Sequence, residues 1–180
     1  PGPTPRRIER EFGVPVPGEI LPSERWTQTA LRRLPDERPW DLARLFGRAA
    51  PLVVDLGCGN GRSVLASAVW RPELNHLGVD ALPVVIRHAT RRANQRGLSN
   101  VRFAVLGAAE LVAECLADGS AAEVHIYHPQ PYADPAQARR RLITPEFLAN
   151  VQRVLEPGGL LVVQTDNAGY WRYLREVLPA

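Results

Sequence analysis

Lysine and methionine are both absent from these 180 residues; all 22 basic residues are arginine. With 17 prolines in the same chain, this composition reads as the coding bias of a GC-rich genome and carries little functional information. Cysteine is nearly absent. Cys58 and Cys115 stand far apart, which excludes a disulfide framework and a zinc-ligand pattern and points to a reducing compartment, the cytoplasm. Long apolar runs are missing too. The longest, such as Leu160-Leu161-Val162-Val163, are strand-length and far short of a membrane span. The first residues, rich in proline and arginine, contain no apolar segment of the kind a secretory signal needs.

What remains is an ordinary globular composition, with 45% hydrophobic residues and a net charge of +3. The length suits one domain with a real core. The sequence pI near 9.3 permits a nucleic-acid partner without demanding one. His76, His88 and His125 have no clustered partners in the sequence, so no metal site is expected.

Residues 1–22 contain six prolines and no period, which predicts an extended, mobile arm ahead of a domain over 23–180. Ser23 is placed to cap a helix to about Leu34, and Pro39 to open another to Phe46. Beyond Pro51 apolar strand-length runs alternate with helical patterns. The expected strands are Leu52–Leu56, His76–Val79, Val101–Leu106, Glu123–Tyr127 and Leu160–Thr165. Between them fall helices over Arg62–Trp70, Pro83–Gln95 and Ala108–Leu116. A further helix capped by Thr144 precedes the fifth strand, and a last one covers Gly169–Val177. This alternation predicts an α/β fold, a doubly wound, mostly parallel sheet with helices on both faces and its ligand edge at the strand C-termini.

The first strand-to-helix turn, Asp55-Leu56-Gly57-Cys58-Gly59-Asn60-Gly61, is G-x-G-x-G rather than the dinucleotide G-x-G-x-x-G. Glycines at alternate positions allow a tight turn and close backbone approach to a ligand. Asp80, at the end of the second strand, is placed to accept the ribose hydroxyls of a nucleoside. Asp55 is placed to face a cationic amino-acid end. Two carboxylates framing such a loop suit S-adenosylmethionine better than NAD.

A more specific likeness is carried by DLGCGNG, the G-V-D of 78–80, DGSAAEVHIYHPQPY over 118–132, the R-R-R-L of 139–142, LEPGGLLVVQTDN over 155–167, and Tyr170. Together these resemble the tRNA (guanine-N7)-methyltransferase family from about Leu34 to Leu178. The resemblance implies S-adenosylmethionine held by Asp55, Gly57, Gly59, Gly61, Asp80, Ala81, Ala108, Ala109 and His128, with His128 at the catalytic position. It implies tRNA as partner, contacted by Tyr132, Arg139, Arg140, Arg141, Thr165, Asp166 and Asn167, with methyl transfer to a guanine N7 in the variable loop.

The departures fall in three places. Ala108 and Ala109 stand where the family has a third cofactor acid. His128 occupies the acidic position proposed as catalytic, at the border of cofactor and substrate. Tyr132 replaces a lysine. The family's C-terminal substrate segment and its last two strands are expected beyond residue 180. A neutral histidine accepts through one ring nitrogen only, so His128 is expected to weaken guanine selection more than methyl transfer. The alternatives are a relative that binds cofactor or RNA without turnover, and a methyltransferase with a small-molecule acceptor. A sheet edge left unpaired would favour self-association, so monomer and homodimer are both expected states. For Thr165 and Asp166, capping the last helix competes with substrate contact.

Overall fold

The computed structural model describes residues 5–178. Two antiparallel strands come first, β1 (Arg7–Glu11) and β2 (Val14–Ile20), followed by a short helix α1 (Leu42–Phe46). The main sheet holds β3 (Leu52–Leu56), β4 (Asn75–Asp80), β5 (Val101–Val105), β6 (Ala121–Tyr127) and β7 (Leu155–Gln164). Its order is β5-β4-β3-β6-β7 and every pairing is parallel. The order reverses between β3 and β6, so a crevice opens there at the strand C-termini.

Helices cover both faces, as expected. On one face α2 (Arg62–Trp70) and α3 (Pro83–Gln95) bury Leu65, Ala68, Ile86, Ala89 and Ala93 against Val101 and Phe103. On the other, α5 (Pro145–Val154) and α6 (Ala168–Val177) bury Phe147, Val151, Tyr170 and Leu174 against Leu52, Val54, Val124 and Ile126. Strand alternation makes this possible: Leu52, Val54 and Leu56 face one core while Val53 and Asp55 face the other.

Four expectations are corrected. Residues 7–20 of the expected mobile arm form the β1–β2 hairpin, with Val16 buried in the α2–α3 core; residues 1–4 of that arm lie outside the described residues. The expected helix from Ser23 to Leu34 is one 3₁₀ turn, Ser23–Arg25, followed by extended chain. There Thr29 accepts from Phe103 N–H at 2.8 Å and Leu31 N–H donates to Phe103 at 2.8 Å. An unpaired edge of β5 outcompetes helical propensity, and the buried Thr29 hydroxyl is satisfied by Asn94. The helix after β5 is a single α turn, α4 (Ala108–Glu110), that widens into a π turn over Leu111–Cys115. Strand β7 begins five residues early, at Leu155, because a bulge with Gly158 at φ +78° interrupts the pairing without ending it.

Candidate functional site

The crevice is built from the glycine turn upward. Gly57, Gly59 and Gly61 have φ of +72°, +54° and +75°, a left-handed run that side chains resist. Gly57 and Cys58 N–H both donate to the Val79 carbonyl at 2.9 Å. Gly59 N–H donates to Asp80 Oδ2 at 3.0 Å, and Asp80 Oδ1 accepts from Leu82 N–H at 2.9 Å. Asp80 therefore ties the turn to the end of β4, with Ala81 exposed beside it. The three glycines have different duties. A Cβ on Gly57 or Gly59 would meet open space, whereas on Gly61 it would lie 2.6 Å from Ala89 Cβ and 3.1 Å from Phe103. Gly61 serves the packing of α3; Gly57 and Gly59 leave the crevice bare.

Beneath the turn lies Asp55, buried, with Oδ1 lacking any partner. Burial, and then the nearby charge of Asp80, push its carboxyl up to about 7. Burial also raises the Cys58 thiol far above neutrality, so it is no thiolate nucleophile.

The opposite wall is a cleft of about 260 Å³ lined by Gly57, Ala108, Tyr127, His128, Tyr132 and Arg140, among others. His128 N–H donates to the Gln164 carbonyl at 2.7 Å, adding a rung to the β6–β7 ladder, and the chain then turns at φ +49°. Its Nδ1 lies 3.7 Å from Asp166 Oδ1, with the two side chains 55% and 90% exposed. Tyr132, at φ +43°, carries the Arg140 guanidinium 5.1 Å from its ring centre. Arg139 is exposed nearby, and Ala108 meets the cleft while Ala109 faces out.

Two of the expected contact residues point elsewhere. Arg141 turns inward: its Nε donates to the Pro131 carbonyl at 2.9 Å, its Nη2 to Tyr132 at 3.3 Å, and its guanidinium lies 4.4 Å from the Tyr173 ring. It holds the loop and is not presented to a phosphate. Asn167 caps α6 by accepting from Tyr170 N–H at 2.8 Å. Thr165 Oγ1 accepts from Asn167 N–H at 3.1 Å. Capping thus belongs to Asn167, and Asp166 is left projecting beside His128.

Sequence reasoning missed two polar groups. Arg92 and Arg96 fit a solvated helix face by spacing, yet they are only 4% and 5% exposed. Glu9 accepts from Arg92 and Arg96 at 2.9 and 2.8 Å; Glu11 accepts from Arg62 at 2.7 Å, Arg92 at 3.1 Å and Asn60 at 3.3 Å. These arginines hold both glutamates below the usual carboxylate range even against the opposing cost of burial, the largest single effect at Glu9. The hairpin is thereby clamped to the glycine turn. The signal was there, since Glu9 and Glu11 recur with a strand's period of two, but their partners lie 49 to 87 residues away.

The second group runs along β6. Tyr127 Oη lies 3.0 Å from His125 Nδ1, His125 Nε2 2.7 Å from Glu123, and Glu123 2.6 Å from Arg71. Burial lowers His125, keeping it neutral; Nε2–H then donates to Glu123 and Nδ1 accepts from the tyrosine. Contrary to expectation, this histidine has partners. They fix the tyrosine that lines the cleft.

A family model described as a putative methyltransferase matches residues 49–180. The tRNA (guanine-N(7)-)-methyltransferase of Alkalilimnicola ehrlichii is 36% identical over 155 residues, 86% of this chain and 65% of the relative. The enzyme of the same name from an Arthrobacter species is 35% identical over 161 residues, 87% of this chain and 50% of its own length. The chain therefore spans between half and two-thirds of these curated relatives. Among solved structures, an antibiotic-related methyltransferase superposes with a TM-score of 0.54 at 19% identity, over 81% of this chain and 75% of that one, a likeness of fold. The resemblance drawn from the motifs is borne out by these relatives.

Proposed function

The chain belongs to the family of putative methyltransferases, and from that premise we propose that it transfers a methyl group from S-adenosylmethionine to N7 of a guanine in tRNA. The observation that carries this reading is Asp55, a buried carboxylate with an unpartnered oxygen under a bare glycine turn, across the crevice from His128 and Asp166. The tRNA guanine is supported by the name of the relatives.

The residues fit the cofactor. An unpaired buried carboxylate is costly, and a ligand cation removes that cost. Asp55 accepts the cationic amino-acid end, Gly57 and Gly59 offer bare backbone, and Asp80 keeps lone pairs for ribose hydroxyls after its two backbone bonds. Ala81, Ala108 and Ala109 supply uncharged contact. When bound, S-adenosylmethionine supplies an electrophilic methyl on a sulfonium.

Guanine N7 has an in-plane lone pair and no proton, so no general base is required. What this chain supplies is alignment. Asp166 accepts from the guanine N1–H and N2–H groups, restoring beside His128 the carboxylate that His128 itself lacks. His128 borders both ligands and Tyr127 closes the floor. Tyr132 with Arg140 offers a stacking surface, and Arg140 and Arg139 meet phosphates. A tRNA acceptor places the reaction in the cytoplasm; no helix among the described residues is long and apolar enough to cross a membrane.

The test is incubation of the chain with methyl-labelled S-adenosylmethionine and unmodified tRNA, followed by nucleoside chromatography. Label is expected in 7-methylguanosine. Label in another nucleoside, or none while the chain still binds S-adenosylmethionine, overturns the reading in favour of another acceptor or of binding without turnover.

A further inference from the structure

The turn of the β1–β2 hairpin consists of Phe12 and Gly13, between the paired residues Glu11 and Val14. Both are left-handed, with φ of +50° and +80°. This is the geometry of a type I′ turn, whose first position favours asparagine, aspartate or glycine. A phenylalanine there is strained. It is also 99% exposed, so the ring contributes nothing to a core. Backbone strain and an aromatic side chain in water coincide at one residue, with no compensating contact among the described residues.

The hairpin that carries Phe12 is held firmly. Glu9 and Glu11 make the five hydrogen bonds to Arg62, Arg92, Arg96 and Asn60 described above, and Val16 is buried. Asn60 belongs to the glycine turn, and Phe12 directly follows Glu11 in the chain. The ring is therefore presented at the ligand edge of the sheet.

Charge identifies the occupant. The acids of β1 face inward and are consumed by arginines. Facing outward are Arg7 and Arg10, both exposed, and Arg10 Nη1 donates to the Gly13 carbonyl at 2.9 Å, which fixes a guanidinium at the tip. Arg87 and Arg91 are exposed on α3, the helix the hairpin is clamped to. An aromatic ring beside a guanidinium, on a surface that carries further exposed arginines, is the chemistry that binds unpaired nucleotides, ring to base and cation to phosphate.

We propose that Phe12 is a stacking platform for an unpaired nucleotide of the RNA substrate, with Arg7 and Arg10 on the flanking phosphates. The proposal rests on the RNA-acceptor reading above and extends it to a second contact, outside the crevice. Ile8 and Val14 are exposed on the same hairpin, so a second copy of this chain is the competing occupant.

The test measures binding of a fluorescent, unmodified tRNA transcript to the full chain and to its F12N, F12W and R10A variants over a range of salt, with S-adenosylmethionine binding and unfolding followed in parallel. Asparagine suits a type I′ turn better than phenylalanine, so F12N is expected to unfold at the same or a higher temperature and to bind S-adenosylmethionine unchanged. It is expected to weaken tRNA binding by about five- to tenfold, with F12W restoring it. R10A is expected to reduce the slope of log Kd against log salt by about one. A tRNA affinity for F12N equal to that of the parent overturns the proposal and leaves the acceptor reading intact. A concentration-dependent mass that F12N abolishes, with tRNA affinity unaltered, assigns the surface to self-association and overturns it as well. A parent chain that binds no tRNA overturns both readings.

Discussion

The two walls of the crevice bend the chain by different means. At the wall proposed to hold the cofactor, every left-handed residue from 57 to 61 is glycine, the bends are fixed by backbone hydrogen bonds to Val79 and Asp80, and a clamped hairpin braces the turn. At the wall proposed to meet the acceptor the left-handed residues are His128 and Tyr132, strained there, and the His128 and Asp166 side chains are exposed. The first wall is made of backbone and buried packing; the second is made of side chains on a strained surface loop. On the proposed reading, the cofactor meets backbone braced by packing, and the acceptor meets exposed side chains whose replacement should disturb the core least.

The sharpest way to break this contrast is Asp55. Its carboxyl is raised in the folded chain to about 7, from an ordinary value near 4. The folded state therefore binds an extra proton between those limits. Stability is fully present below about pH 4, falls as pH rises, and levels off above 7. The expected loss is about 4 kcal/mol across that window. Asp55→Asn should flatten the urea-midpoint profile over pH 4–8 and, at the same time, abolish the rise in S-adenosylmethionine affinity expected as pH passes through 7. A profile unchanged by the substitution removes Asp55 from both roles.

Next in size is Gly61→Ala. Its Cβ would press on Ala89 at 2.6 Å, and overpacking with left-handed strain is expected to cost about 2–3 kcal/mol in chemical denaturation. Gly57→Ala meets no neighbour and should cost only about 1 kcal/mol, yet impair cofactor binding more, as calorimetry would show. If the two rank alike in both measurements, the division of labour among the glycines is wrong.

On the acceptor wall, Arg141→Ala should lower stability by about 1–2 kcal/mol through lost hydrogen bonds and stacking and raise the KM for tRNA, with cofactor affinity unaltered. The smallest effect is expected from His128→Gly. Relief of the left-handed strain should offset the entropy of glycine to within about 1 kcal/mol, while discrimination of guanine from other acceptors falls. A large loss of stability there would mean that the acceptor wall is as rigid as its neighbour.

Much of the cofactor wall could be read in the sequence because it is local. Asp55, the glycines and Asp80 sit at a strand end, a turn and the next strand end, and strand periodicity locates all three. The role of Gly61 could not be read, since the atoms it avoids belong to Ala89 and Phe103 on other elements. The buried pair Arg92 and Arg96 was hidden for the same reason: their glutamates lie in a proline-rich segment that looks disordered until its hairpin pairing is known. Likewise Thr29 to Leu31 read as helix because nothing local announces the bare edge of β5. On the acceptor wall, residue types pointed to the loop, but only the fold shows that Asp166 faces His128 while Arg141, one residue from Arg140, faces inward.

That inward guanidinium bears on how this loop can be inherited. Arg141 lies between the carbonyls of Pro131 and Tyr132 and the rings of Tyr170 and Tyr173, so the loop proposed to meet the acceptor is keyed to the last helix. A loop grafted from a relative without its matching α6 would arrive with its anchor missing. Recombination that exchanges acceptor preference between such proteins should therefore carry residues 128 to 177 as one block, and breakpoints between the loop and the helix should be selected against.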